Sequence, residues 1–156
     1  MSEVNIHASC VAIGPRGVLL LGPSGSGKSD LALRLIDQGA KLVADDRTIL
    51  FAAKGALHAK APASIKGLIE IRGLGIVELP VRANVKSVKI VLVVRLGRED
   101  TRLPRPRLYR TPTSLKLTTA PPLIALDARF ASTPAKIRAA LAAFSQGLFR
   151  DTFHLN

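Results

Sequence analysis

Gly22, Pro23, Ser24, Gly25, Ser26, Gly27, Lys28 and Ser29 fit the pattern G-x-x-x-x-G-K-[ST]. In that spacing, successive backbone N–H groups face one concavity, and the helix that follows adds the positive end of its dipole. Lys28 supplies a point charge for the β- and γ-phosphates, and Ser29 offers a hydroxyl to Mg²⁺. The chemistry is the binding of a nucleoside triphosphate or a related phosphate. Asp45 and Asp46 form a second reactive group, at the end of a short apolar run. So placed, a carboxylate either holds Mg²⁺ or takes the proton of a nucleophile, and repulsion between neighbours shifts one of a pair toward acid–base work. Glu70 and Arg72 form the third. In strand alternation they share a face, where an acid ligates metal and a guanidinium neutralises phosphate oxygens.

These groups need positioning elements, and the flanking sequence supplies them. Residues 17–21 (GVLLL) read as a buried strand entering the loop. Residues 29–38 read as a helix with Leu31, Leu35 and Gln38 at its spacing and Gly39 as its stop. Residues 5–13 predict a first strand, with a turn at 14–17. Residues 41–44 (KLVA) predict the strand that ends at the aspartates, and 47–52 continue extended into a hairpin turn at Lys54-Gly55 toward 57–59. Residues 68–71 are a strand, 72–75 a bend, and 87–96 (SVKIVLVVRL) the strongest central strand. Residues 97–122 are charged and proline-containing, and too long for an idle connection, which predicts a mobile functional loop. A last strand is expected at 123–126. A helix is expected over 134–149, capped by Thr133 and lined by Ile137, Leu141, Phe144 and Leu148.

At 156 residues with 47% hydrophobic content, the chain suits one domain, residues 1–156, with an aliphatic core; aromatics make up only 4%. No apolar run approaches the roughly 18 residues that span a bilayer. The N-terminus lacks the features of a secretory signal, and one cysteine, Cys10, suits packing in a reducing cytoplasm. The cysteine and three histidines show no metal-ligand spacing. The net charge of +12 includes seven basic residues between Arg95 and Lys116. With no nucleic-acid-binding motif present, that charge is read as steering for an acidic partner or phosphate, and neither nucleic acid nor membrane is an expected partner.

Three motifs in order, GPSGSGKS, LVADDR (residues 42–47) and LIEIRGLGIV (residues 68–77), resemble the catalytic domain of bacterial HPr kinase/phosphorylase. The resemblance runs from about His7 to Val94. It implies an α/β fold: a P-loop kinase domain with a strand-rich mixed central sheet and two main helices, phosphoenolpyruvate-carboxykinase-like. It further implies ATP and Mg²⁺ as cofactors, a serine of the phosphocarrier protein HPr as acceptor, and a cytoplasmic homohexamer serving phosphotransferase-system regulation. On the same footing Lys28 contacts the transferred phosphoryl group, and Ser29 and Glu70 ligate Mg²⁺ with support from Arg72. Asp46 accepts the serine proton, with Asp45 as the alternative. His7 lies near the aspartates, and Arg102 is the catalytic arginine of a closing loop.

Two departures stand out. The family's usual members carry a separate N-terminal domain, so the resemblance implies a short form of the α-proteobacterial type. The family's C-terminal basic loop finds only Arg129 as a loose counterpart, which bears on phosphorolysis of phosphoserine-HPr, and the C-terminal helix that contacts HPr is altered. The competing readings are a small-molecule P-loop kinase and a nucleotide or phosphate sensor that transfers nothing.

Overall fold

A computed structural model of the chain describes residues 2–98, 101–105 and 107–150. The strands are β1 (Glu3–Ile13), β2 (Arg16–Leu21), β3 (Lys41–Ala44), β4 (Arg47–Ala53), β5 (Ala56–Lys60), β6 (Leu68–Ile71), β7 (Gly75–Glu78), β8 (Ser87–Leu96), β9 (Arg107–Leu108) and β10 (Pro122–Leu126). The two helices are α1 (Lys28–Asp37) and α2 (Thr133–Gln146).

β2, β8 and β10 run parallel as neighbours, while β1 lies antiparallel to β2. Two long strands change partners along their length. β1 pairs with β4 through residues 3–7 and with β2 through residues 8–13. β8 pairs with β5 at its start and with β2 and β10 later. The result is a mixed sheet, with β6 and β7 as a separate two-stranded hairpin.

Both faces of the central strands are buried, which explains their near-continuous apolar runs. Val18 and Leu20 of β2 and Leu92, Val94 and Leu96 of β8 pack with Leu31 and Leu35 of α1 and Ile137 and Leu141 of α2. Leu19 and Val93, of opposite parity, face a second cluster with Cys10, Leu50 and Leu57. Cys10 is wholly buried, and burial pushes its thiol far above the ordinary range. A thiol reagent is therefore expected to leave Cys10 unmodified in the folded protein and to titrate it fully in denaturant. Rapid labelling of the native chain would contradict that packing.

The structure corrects four expectations. The stretch 97–122 is not one loop: β9 pairs with β10, and the 3₁₀ turn Thr113–Leu115 buries Leu115 in the second cluster. Glu99, Asp100 and Pro106 of that stretch lie outside the described residues. Helix α2 ends at Gln146 because Gly147 turns left-handed (φ 65°), so Phe149 lies beyond it and Leu148 is exposed. Thr133 does not cap that helix: its hydroxyl donates to the Asp127 carbonyl at 2.5 Å, and Ser132 holds the N-cap position. Gln38 is exposed at the C-cap of α1 and does not share the buried face of Leu31 and Leu35.

Candidate active site

The glycine-rich loop connects the C-terminal end of β2 to the first turn of α1. Gly22 has φ 152°, and a Cβ there would stand 2.5 Å from Ser26 Oγ, so the close loop path admits only glycine. Lys28 turns back into the loop, where Nζ donates to the carbonyls of Gly22 at 2.6 Å and Pro23 at 3.1 Å. Its burial lowers the ammonium pKa, while Asp46 and Asp45 pull it the other way. Ser26 Oγ is buried without a hydrogen-bond partner among the described residues. A glycine path that a Cβ would fill, a buried ammonium and a free hydroxyl fit a phosphate cradle.

The adjacent aspartates do different things. Asp45 is buried. Its Oδ1 accepts hydrogen bonds from Ser9 Oγ at 2.8 Å and Ser29 Oγ at 2.7 Å, and its Oδ2 accepts the Glu70 N–H at 3.0 Å. Its carboxylate thus ties β1, α1 and β6 together behind the loop. Asp46 faces the other way. Its side chain is 63% exposed, and Oδ1 accepts His7 Nε2 at 2.8 Å. The antiparallel register that sets His7 beside Arg47 brings the imidazole to this carboxylate.

A cleft of about 410 Å³ opens over these groups, lined by His7, Ser24, Gly25, Gly27, Lys28, Ser29, Asp30, Leu33, Asp46, Glu70, Ile71 and Arg72. Gly22, Pro23, Ser26 and Asp45 do not line it; the Gly22 and Pro23 carbonyls hold the Lys28 ammonium, and Asp45 holds the Ser29 hydroxyl. β6 stops at Ile71, so Arg72 begins the turn instead of sharing a strand face with Glu70; both side chains reach the cleft, with no ion pair between them. Arg102 is exposed and does not line the cleft. No group of three or more His, Cys, Asp and Glu side chains able to hold a metal occurs among the described residues. Mg²⁺ suits such a site, because it binds through one or two protein oxygens together with phosphates and water. A larger cleft of about 550 Å³ lies under α2, between Val91, Leu108, Leu141 and Phe144, and carries no carboxylate.

Several supporting residues escaped the sequence reading. Ser9 is two residues from His7 on β1, a spacing that puts both on one face. Arg34 of α1 holds the segment after β10 against the loop helix, donating to the carbonyls of Ala128 at 2.5 Å and Phe130 at 3.3 Å. In that segment Arg129, which the sequence does single out as the loose counterpart of the family's basic loop, grips Asp127, with Nη2 2.6 Å from Oδ2. Hydrogen bonds from the Arg129 side chain, then from its backbone, lower the Asp127 pKa from 3.8 to about 2. A depressed folded-state value stabilises the fold above the unfolded value, and the contribution is lost as pH falls from 3.8 through about 2. Arg129→Gln is therefore expected to melt below the wild type at pH 7, with the gap closing across that acid window. A gap that stays constant would show that the pair does not set the difference.

A glycine-rich loop with a buried lysine, opening onto an exposed carboxylate on a mixed sheet with two helices, has the form of a P-loop kinase-like fold. Within that class the chain belongs to the HPr Serine kinase C-terminal domain family, whose model matches residues 1–119. HPr kinase/phosphorylase of Clostridium acetobutylicum is 39% identical over 110 residues, 65% of this chain and 36% of that protein. The Caldanaerobacter subterraneus subsp. tengcongensis protein of the same name is 42% identical over 103 residues, 63% of this chain and 34% of that one. The chain therefore spans about a third of the length of the curated relatives it matches. The solved Hpr(Ser) kinase/phosphatase from Coxiella burnetii superposes with a TM-score of 0.76 at 27% identity, covering 93% of this chain and 92% of that one.

Proposed function

We propose that residues 1–156 form a single catalytic domain, an ATP-dependent protein serine kinase acting on HPr or an HPr-like phosphocarrier. One observation carries the proposal: the acidic pair is divided, with Asp45 buried and both its oxygens hydrogen-bonded, and Asp46 presented in the cleft against His7. Family membership supports the acceptor, and the exposed Leu74 and Ile76, just beyond cleft-lining Arg72, suit a protein surface better than a small metabolite.

On this reading Lys28 and the loop amides hold the β- and γ-phosphates. The serine hydroxyl of HPr enters beside Asp46, its oxygen bonds to the γ-phosphorus, and the bond to the β-phosphate oxygen breaks to release ADP. Asp46 takes the hydroxyl proton, and the His7 imidazole orients the carboxylate. Bound Mg²⁺, held by Ser29 and Glu70, would neutralise phosphate charge. Arg72 lies near enough to help, and Arg102 would have to move in from the surface to act. Assembly as a homohexamer and a cytoplasmic location follow from the family resemblance. Among the described residues, no helix is long and apolar enough to cross a membrane.

The test incubates the protein with labelled ATP, Mg²⁺ and HPr from the same organism. Phosphoserine on HPr is expected, and its absence, with nucleotide still bound, would favour a sensor. Adding inorganic phosphate and phosphoserine-HPr measures the reverse reaction.

A further inference from the structure

We propose that Ser9 is the positioning residue of the acidic pair: its single hydroxyl sets the Asp45 carboxylate and the Asp46 backbone together, and so fixes where the Asp46 carboxylate points. The inference rests on Asp46 as the proton acceptor, and part of its test does not.

Ser9 is wholly buried on β1. Its Oγ donates to Asp45 Oδ1 at 2.8 Å and accepts the Asp46 N–H at 3.1 Å. One hydroxyl thus acts as donor to one aspartate and acceptor from the next, which neither an alanine nor an apolar isostere can do.

The backbone it holds is strained. Asp46 has φ 68°, a region that few residues besides glycine, asparagine and aspartate adopt. The Arg47 N–H donates to the Asp45 carbonyl at 2.7 Å, two residues back, so the chain turns about Asp46 in the positive-φ form of γ-turn, the rare one. Such a conformation persists only where surrounding bonds over-determine it. Three bonds from β1 do so here. The Ala8 N–H donates to the Asp46 carbonyl at 3.0 Å, His7 meets the tip of its side chain, and Ser9 takes its amide. Of the three, Ser9 is the one that joins that amide to Asp45. Without its hydroxyl the turn is free to relax toward ordinary backbone angles, and the carboxylate swings with it. A displacement near 1 Å at a reacting group lowers rates by about 10²-fold.

The wild type is assayed first for HPr phosphorylation. Ser9→Ala is expected to lower kcat by roughly 10–100-fold while leaving the KM for ATP within about 2-fold. Ser9→Thr, which keeps the hydroxyl, is expected to recover most of the rate. In an Asp46→Asn background, Ser9→Ala should change the residual rate by less than about 2-fold, because the residue acts through Asp46. Equal losses for Thr and Ala, or an undiminished loss in the Asp46→Asn background, would reduce Ser9 to packing. Independently of activity, amide exchange at Asp46 should quicken at least about 10-fold in Ser9→Ala, as the amide loses its acceptor. Unchanged exchange overturns the clamp even if the wild type phosphorylates nothing, and an inactive wild type with quickened exchange overturns only the kinase reading. Should Ser9→Ala not fold, Ser9→Cys, close in size with a weak hydrogen-bonding group, carries the same measurements.

Discussion

Asp46→Asn is expected to lower phosphoryl transfer to HPr by about 10²–10⁴-fold, the range a positioned general base contributes. The substitution is a clean probe for structural reasons. Asparagine is among the few residues that tolerate positive φ, so the γ-turn at φ 68° is retained where alanine would strain it. The amide matches the carboxylate in size and can still meet His7 Nε2, which now lies 2.8 Å from Oδ1. With the side chain 63% exposed, little stability depends on its charge. Nucleotide affinity and melting temperature should therefore stay near wild type while kcat collapses. Single-turnover transfer from labelled ATP, run beside a nucleotide titration and a thermal melt, separates these quantities. A residual rate within about threefold of wild type would remove Asp46 from proton transfer and point to positioning alone as the source of catalysis.

The elements legible in the sequence are those whose chemistry is local. The glycine-rich loop declares itself through glycines and a lysine at fixed spacing. Strand β3 at Lys41–Ala44 and β8 at Ser87–Leu96 follow from short apolar runs with polar ends. The different settings of Asp45 and Asp46 are only half legible. Two neighbouring carboxylates look equivalent until a left-handed residue points them in opposite directions, and the bonds that enforce this come from β1, more than thirty residues away in the chain. Ser9 was invisible for the same reason: in the run HASCVAI a serine reads as filler, and its two partners meet it only through sheet pairing.

The misread regions have a common cause as well. Charge and proline dominate residues 97–122, yet Leu115 and Tyr109 pack against distant strands, a long-range gain that local composition does not display. In α2 the apolar spacing continues through Leu148, but the backbone stops at Gly147, whose left-handed φ is compatible with a C-cap and not with another helical turn. At such ends the backbone term outweighs the periodicity of side chains.

Asp45→Ala is expected to act in the opposite sense to Asp46→Asn, reducing stability first and nucleotide binding with it. The buried carboxylate receives the Ser9 hydroxyl, the Ser29 hydroxyl and the Glu70 amide, and alanine leaves all three without that acceptor. Each orphaned buried donor costs about 1–3 kcal/mol, though hydroxyls can rotate toward other acceptors, so a net loss of roughly 2–4 kcal/mol is expected. For a domain of this size that corresponds to a fall in Tm of about 5–15 °C. The site loses more than stability. Ser29 no longer has the bond that orients its hydroxyl toward the cleft, and β6 loses the anchor that holds Glu70 beside it, so affinity for Mg²⁺–ADP should drop by at least about 10-fold. Asp45→Asn should lie between wild type and Ala: it keeps the volume and one carbonyl oxygen, but its NH₂ must oppose either the Glu70 N–H or the hydroxyls, and only hydroxyls can reverse roles. Thermal unfolding with and without Mg²⁺–ADP measures both effects. A variant that melts with the wild type and binds nucleotide equally well would mean that the junction of β1, α1 and β6 does not depend on this carboxylate, and the two aspartates would lose their separate roles.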